Sequence, residues 1–529
     1  MSTSANISAT ASADNLNAQQ KIALFIGFSG LFILVLAVFK IVVVNQLVAL
    51  LSSLIFISIG IIWYAKSTYK GQSPGVKNNF IYLSNLTNRG FWAYLLGLSL
   101  TGFYIILYFY PEILGLIKNG QNTRLIALFD PLSRVLSGNP ASQWFVYGTL
   151  YTIAILGFGV KALLKYRHNA YQKVRTISVM FFQLSFAFII PELMARLNSK
   201  SFSLPYYDLK NIWPLNYYNF EQYRVDQFIN AGSIGLALLI FGIISIFIIT
   251  PILTFKYGKR WYCSWVCGCG GLAETAGDSF RHLSNKSINA WRFERWLIHL
   301  VTVFITLATI AVVYSYLGND TTKYWLTRST FLIAVMSILS LVFALIMIFK
   351  RNALQKDAIY AAIAFFIIIG SLISMHFING YQQQLFLFEA ETLRSSYGFL
   401  IGSIFSGVIG TGFYPIFGNR VWCRFGCPMA AILGLQQRLF SKFRITTNGG
   451  QCISCGNCST YCEMGIDVRA YAQKGENIVR SSCVGCGICA NVCPRGVLKL
   501  ENDNLDHRIN SEDILLGNDV DLKDFLKKS

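Results

Sequence analysis

Cys452-Ile453-Ser454-Cys455-Gly456-Asn457-Cys458-Ser459-Thr460-Tyr461-Cys462, and then Cys483-Val484-Gly485-Cys486-Gly487-Ile488-Cys489-Ala490-Asn491-Val492-Cys493-Pro494, are the runs from which the rest of the chain can be read. In each, three cysteines are separated by two residues and a fourth follows after three more. Three thiolates so spaced can wrap three corners of an iron–sulfur cube, while the fourth points away to the partner cluster. The ligand sets are therefore expected to cross over. Cys452, Cys455, Cys458 and Cys493 would hold one [4Fe–4S] cluster, and Cys483, Cys486, Cys489 and Cys462 the other. A structural zinc site commonly uses two separated cysteine pairs, which is a different pattern.

Outside these runs the composition is that of a membrane protein: 54% of the 529 residues are hydrophobic and 13% are charged. A helix needs about 20 mostly apolar residues to cross the hydrocarbon. Ten stretches meet that need, at 22–39, 46–65, 91–112, 144–164, 176–195, 232–255, 296–317, 327–349, 357–377 and 397–417. The expected fold is an all-α polytopic membrane domain followed by a C-terminal α+β two-cluster domain. Residues 1–20 read as a disordered tail, 21–417 as the membrane domain and 418–447 as a basic juxtamembrane segment. The cluster domain takes 448–502 and a polar tail 503–529, with a weak amphipathic pattern at 512–526. Residues 1–20 are Ser/Ala/Asn-rich and no small-residue cleavage site follows the first apolar run, so no secretory signal is expected.

A net charge of +20 would suit nucleic acid, but the basic residues lie in short connections between spans, where they set orientation. With the N-terminus cytoplasmic, the inner loops carry Lys66, Lys70, Lys77 and Arg89, then Lys165, Arg167, Lys173 and Arg175. Lys256, Lys259, Arg260, Arg281, Lys286, Arg292 and Arg295 follow, and then Lys350, Arg351 and Lys356. An even number of spans returns the C-terminus and its clusters to the cytoplasm, so a bacterial inner membrane with both termini inside is expected and nucleic acid is not. Thirteen cysteines without an extracellular framework agree with a reducing compartment.

A second constellation is an internal repeat. Gly258-Lys259-Arg260-Trp261-Tyr262-Cys263 with Cys267, and Gly418-Asn419-Arg420-Val421-Trp422-Cys423 with Cys427-Pro428, share the form G-x-R-x-x-C-x-x-x-C. Each follows a proline-bearing membrane stretch, at Pro251 and Pro415. Thiols four apart fall on one helical face, and two such faces would supply four ligands for a third iron–sulfur cluster or for copper. Packing by buried thiols is the alternative. Cys269 is the odd thiol, either a substitute ligand or structural.

Glu112, Glu192 and His376 lie near span ends toward the predicted outer face, where a quinol-oxidising site would need proton acceptors. Helix capping or headgroup contact is the plainer reading. The loop at 196–230, with Tyr206, Tyr207, Trp213, Tyr217, Tyr218 and Tyr223, suits the outer interface or a cover over a quinone or partner. Gly398 and Gly402 allow close packing within one helix. His282 and His299 stand without a C-x-x-C-H motif, so haem is not expected, and no Gly-rich nucleotide fingerprint appears.

Taken together, the two cubane motifs, Cys423-Arg424-Phe425-Gly426-Cys427-Pro428 and the earlier Cys263 to Cys267 pair resemble the membrane polyferredoxins of the NosR, NapH and CcoG type. That resemblance implies a bacterial-ferredoxin-like module on a helical membrane domain, in proteins serving nitrous-oxide reduction, nitrate reduction or copper handling for oxidase maturation. Gly268 stands where the proline after Cys267 would be, and Glu463 where that after Cys462 would be. Three functions remain open: an electron-transfer subunit passing electrons between a membrane or cytoplasmic donor such as quinol and a partner redox protein; a copper-handling or assembly factor that uses the clusters as reductant; and a transporter or structural subunit with a regulatory ferredoxin domain. The first is an electron-transfer part of an oxidoreductase system and not a self-contained enzyme.

Overall fold

Asn17 caps the first described helix. Its side chain accepts from the Gln20 amide at 2.8 Å while the Gln20 side chain accepts from the Asn17 amide at 3.0 Å, a reciprocal cap. Helix α1 therefore begins at Ala18, inside the stretch expected to be a tail, because a cap is a matter of two side chains and not of mean composition. The computed structural model describes residues 16–502 apart from 42–44, 71–85, 118–119, 199–203, 205–206, 319–322, 355, 380–388 and 449–450. The tails expected before residue 16 and after residue 502, with the 512–526 pattern, lie outside the described residues, as does Tyr206.

Nine helices among the described residues are long and apolar enough to cross a membrane. They are α1 (Ala18–Val38), α2 (Gln46–Tyr69), α3 (Phe91–Phe109), α5 (Gln143–Lys165), α6 (Ala170–Arg196), α7 (Gly232–Tyr257), α9 (Ile288–Leu317), α10 (Arg328–Lys350) and α11 (Lys356–Asn379, its apolar part Ala358–Ile378). Shorter helices α4 (Arg124–Leu136), α8 (Gly268–Thr275) and α13 (Pro428–Phe440) join or flank them. Both α6 and α7 widen by a π-turn, at Ser185–Ile189 and Ser245–Ile249, just before Pro191 and Pro251. A proline removes one donor and crowds the preceding turn, so a local widening of the ladder there is expected.

The tenth expected span, 397–417, differs from the others. Helix α12 runs over 390–409, α-helical at Ala390–Tyr397 and π-wound at Gly398–Ile409, opens with Glu391 and Arg394, and breaks at 410–413 before a short turn of helix at Tyr414–Phe417. Polar residues at its start and the break near its end keep it outside the nine. Its glycines receive a ring: a Cβ at Gly398 or Gly402 would lie 2.9 or 3.3 Å from the Tyr217 hydroxyl. Tyr217 comes from the loop expected at the outer interface. That loop also turns inward, since Trp213 donates to Thr309 at 3.0 Å, Tyr262 donates to the Lys210 carbonyl at 3.0 Å, and Ile212 and Leu215 pack on the thiol-bearing core. Irregular backbone at such depth is tolerated where protein surrounds it.

The C-terminal module is closed by a two-stranded antiparallel sheet, β1 (Arg444–Thr447) with β2 (Leu498–Glu501), in the register Arg444↔Glu501 to Thr447↔Leu498. Strand β1 lies in the segment expected to be juxtamembrane, so the module's sheet begins before residue 448. One apolar core runs from the membrane loops into the module, joining Tyr262, Trp422 and Leu433 to Ile445, Ile466 and Val484.

Candidate functional site

The two cysteine runs fold alike. Gly456 and Gly487 each take a left-handed conformation, φ +76°, directly after Cys455 and Cys486. Each then leads into a single helical turn, Asn457–Thr460 or Ile488–Asn491, that carries Cys458 or Cys489. A left-handed residue reverses the chain tightly enough to bring three thiols to one point, and glycine adopts it without Cβ strain. Cys452, Cys455, Cys458 and Cys493 line one cavity, and Cys462, Cys483, Cys486 and Cys489 line another. The fourth cysteine of each run thus joins the other run's triad.

The donor chemistry fits iron–sulfur clusters, with four thiols around each cavity and aliphatic side chains such as Val468, Ile478 and Leu498 filling much of the remaining wall. Burial pushes the Cys458 thiol up to about 12, and the charges of Cys493, Cys455 and Cys452 add to it. Burial likewise raises Cys489 well above its ordinary value, with Cys486, Cys483 and Cys462 adding. Thiols that crowd this closely hold their protons until a cationic centre replaces them.

The two sites differ in support. The Cys483–Cys486 loop is held by side chains of the membrane domain and its loops. Tyr171 donates to the Gly485 carbonyl at 2.7 Å, and Gln172 and Arg175 donate to that of Cys486 at 2.8 and 3.0 Å. Ser264 donates to the Val484 carbonyl at 2.9 Å, Lys259 to that of Ser481 at 2.6 Å and Gln437 to that of Cys483 at 2.9 Å. The Cys452–Cys458 loop instead has Cys455 exposed and Ile453 53% exposed. Gln473, from the module itself, donates to Ser454 at 2.7 Å.

The G-x-R-x-x-C-x-x-x-C repeat is also a structural repeat. Gly258 and Gly418 both end a helix with positive φ, +66° and +96°. Cys267 and Cys427 both donate their amide five residues back, to Tyr262 at 2.8 Å and Trp422 at 2.9 Å, and both cap the next helix with extended backbone. The expectation that each pair shares a continuous helical face is therefore corrected. The helix ends near the first thiol, a wide turn closes, and a new helix begins after the second, with Gly268 or Pro428 at its first position. Pro428 needs no amide partner there.

Cys263, Cys267, Cys423 and Cys427 converge, each 6–7% exposed and in one core. Burial, then the charges of Cys423, Cys263 and Cys267, raise the Cys427 thiol well above its ordinary value. Cys269 makes a fifth neighbour through a hydrogen bond with Cys267. The group is deep: a Cβ on Gly268 would stand 2.8 Å from Gln183, near the middle of the 27-residue α6, and 2.9 Å from the Lys210 ammonium.

A buried ion network joins this thiol group to the module. Arg420 lies 3.5 Å from the Cys423 sulfur and 3.3 Å from the Cys263 carbonyl, pairs with Glu274 at 2.6 Å and stands 3.1 Å from Glu463, the neighbour of Cys462. Arg281, fully buried, holds Glu274 at 2.5 Å, Asp278 at 2.6 Å and Glu463 at 2.7 Å. Arg175 pairs with Glu274 at 2.6 Å and Lys165 with Asp278 at 2.5 Å, while Lys161 donates to Ser279 at 3.0 Å. Burial would raise the Asp278 carboxyl, but Lys165 and Arg281 hold it well below the usual range. Four buried cations thus pair with three carboxylates, and Lys161 stands beside them. A surplus of buried positive charge is costly unless an anion offsets it, and a cluster with its thiolates is a net anion. Glu274 and Glu463 stand within 4.8 Å of Cys486.

By position in the sequence Lys165, Arg175 and Arg281 pass for orientation charges, and their meeting in this network is a finding of the structure. The available signal was Glu274, Asp278 and Arg281 close behind a cysteine repeat. The remaining candidates stand on separate elements. Glu112 is exposed on the turn Pro111–Leu114, and Glu192 meets Ser137. His376 shares a 2.7 Å hydrogen bond with Tyr314 and lies 3.3 Å from Ser329. The first two flank the packing cluster of Leu114, Phe129 and Phe188, whereas Tyr314 and Ile373 belong to another.

With this geometry in place, the matches to known proteins agree with it. Residues 451–498 match the model of a 4Fe-4S dicluster domain, and residues 239–287 and 398–446, the two halves of the repeat, each match that of a 4Fe-4S binding domain. The chain is an iron–sulfur protein, with cysteine-rich ferredoxin-type domains that bind [4Fe–4S] clusters and nine candidate membrane spans among the described residues. It is similar, at 40% identity over 53 residues, to a protein of Escherichia coli (strain K12) named "Putative electron transport protein YccM". The match covers 10% of this chain and 15% of that relative. No solved structure matches.

Proposed function

We propose that this protein is a membrane-bound electron conduit in which one [4Fe–4S] cluster on Cys452, Cys455, Cys458 and Cys493 exchanges electrons with a second on Cys462, Cys483, Cys486 and Cys489. The second exchanges with a third metal centre on Cys263, Cys267, Cys423 and Cys427. The observation that carries this reading is Arg420, one buried side chain touching the Cys423 sulfur and reaching Glu463 beside Cys462. It spans the gap between the membrane thiols and the module.

When bound, the clusters supply one-electron redox chemistry. The chain's own residues position them, exclude water and set their potentials through burial, charge and hydrogen bonds. The depth of the thiol group beside Gln183 supports a route leading into the membrane domain, toward a quinone or a partner redox protein. Lys165, Arg175, Lys259 and Arg281 gather on the module's side, which supports a cytoplasmic module in a bacterial inner membrane.

The test is iron and copper quantification with low-temperature electron paramagnetic resonance on anaerobically purified protein. About twelve irons per chain, falling to about eight in a Cys423→Ser/Cys427→Ser variant, is the expected result. Copper lost with those two thiols would favour metal handling, for which soft thiolates are equally suited. Electron-transfer activity that survives Cys486→Ser would overturn the conduit.

A further inference from the structure

We infer that the rim of the Cys452/Cys455/Cys458/Cys493 site is the docking face for an acidic one-electron carrier protein, and so the end of the path that opens to solution. This rests on the reading that the module carries clusters, and adds to it which cluster meets the partner and what chemistry the partner must have.

Exposure separates the two sites. Cys455 is exposed, and Ile453, Ser454, Arg469, Pro494 and Arg495 around the same cavity are exposed with it. The other site's loop is covered by Tyr171, Gln172, Arg175 and Ser264. A protein carrier approaching from solution therefore reaches the first cluster and is kept from the second by the membrane domain.

Charge then selects the carrier. Among the described residues lining this cavity, the charged side chains other than cysteine are Arg469 and Arg495. A Cβ on Gly456, beside Cys455, would stand 3.9 Å from the Arg469 guanidinium, so that cation overlies the exposed ligand loop. The acids of the described module, Glu463, Asp467, Glu476 and Glu501, do not line this cavity, and Glu463 is buried in the ion network. Two arginines flanking an exposed apolar Ile453 and Pro494 make a small patch with a charged rim, which attracts a carboxylate-rimmed partner and repels a basic one. The step is balanced. The reduced carrier loses one electron and the cluster gains it, with no bond made or broken and no proton required.

Stopped-flow reduction of the anaerobic full-length protein in detergent tests this, with two one-electron donors of opposite charge: reduced flavodoxin, an acidic protein, and the reduced methyl viologen cation. The second-order rate with flavodoxin is expected to fall steeply as salt rises, and to fall about tenfold or more in Arg469→Glu/Arg495→Glu at low salt. The viologen rate should hold or increase in that variant. Both arginines are exposed, and iron content reports whether the variant keeps its clusters. A flavodoxin rate indifferent to salt in the unmodified protein, or unchanged in the variant, overturns the docking face. Clusters that neither donor reduces would instead overturn the electron-conduit reading itself.

Discussion

The two halves of the module are near copies in sequence and near opposites in setting. Both use three thiols two residues apart, a glycine at φ +76° and a single helical turn. Yet the Cys483–Cys489 half has its carbonyls held by residues from α6, the repeat loops and α13, whereas the Cys452–Cys458 half faces outward. The same ligand chemistry thus serves an anchored, dry position and an exposed one. The lesson is that a ligand motif specifies the cofactor, while the surface on which it lands specifies the cofactor's neighbours.

The comparison breaks most sharply at the ligands. Cys486→Ser is expected to remove one cluster and, by freeing the loop whose Cys486 carbonyl takes two of the anchoring bonds, to loosen the module's docking. Cys455→Ser should cost the other cluster alone. Iron content, paramagnetic resonance and limited proteolysis of the two variants would check this. Equal proteolytic sensitivity would show that the halves are not differently anchored.

Arg281→Met comes next. It takes one cation from each of three buried carboxylates, leaving Lys165 on Asp278, Arg175 and Arg420 on Glu274, and Arg420 on Glu463, and removing a partner from a buried ion network costs about 3–5 kcal/mol. Thermal unfolding in detergent should show the loss, and Arg469→Met, on the exposed half, should show almost none.

The third test exchanges equivalent residues between the halves. Gly485 and Ser454 occupy matching positions, both left-handed, at φ +65° and +58°. Gly485→Ser puts a Cβ 2.7 Å from Arg260, so strain and overpacking together are expected to cost about 2–4 kcal/mol. The reverse exchange, Ser454→Gly, should stabilise by about 1 kcal/mol or less, since it relieves left-handed strain but loses the bond from Gln473. Denaturation of the two variants, read by cluster absorbance, would separate the signs.

Much of the candidate site is legible in the sequence, because cubane ligation depends on local spacing. The spacing leads one to expect Cys462 and Cys493 to cross between triads, and each cavity is lined by three thiols of one run and the fourth of the other. The repeat was legible for the same reason, through Gly258 and Gly418 at matching helix ends. Its backbone was misjudged, since helical periodicity cannot reveal a wide turn that interrupts the helix between two thiols. The aromatics of the loop at 196–230 suit the outer interface or a cover over a quinone or partner, and composition does not record that Lys210 and Trp213 are packed inside. The tenth span met the length rule, but a break at 410–413 is a backbone event that an apolar count passes over.

What the sequence determined by itself is therefore the ligand chemistry and the membrane character. Both rest on short-range facts, cysteine spacing and runs of apolar residues, that no tertiary arrangement can alter. Only the tertiary structure decided that Arg175, Glu274, Arg281, Arg420 and Glu463, scattered across four segments, meet in one buried network, and that one cluster site is anchored while the other is open. Buried charges must find partners wherever the fold brings them together. Their pairing is a property of the packed chain that no stretch of it shows alone.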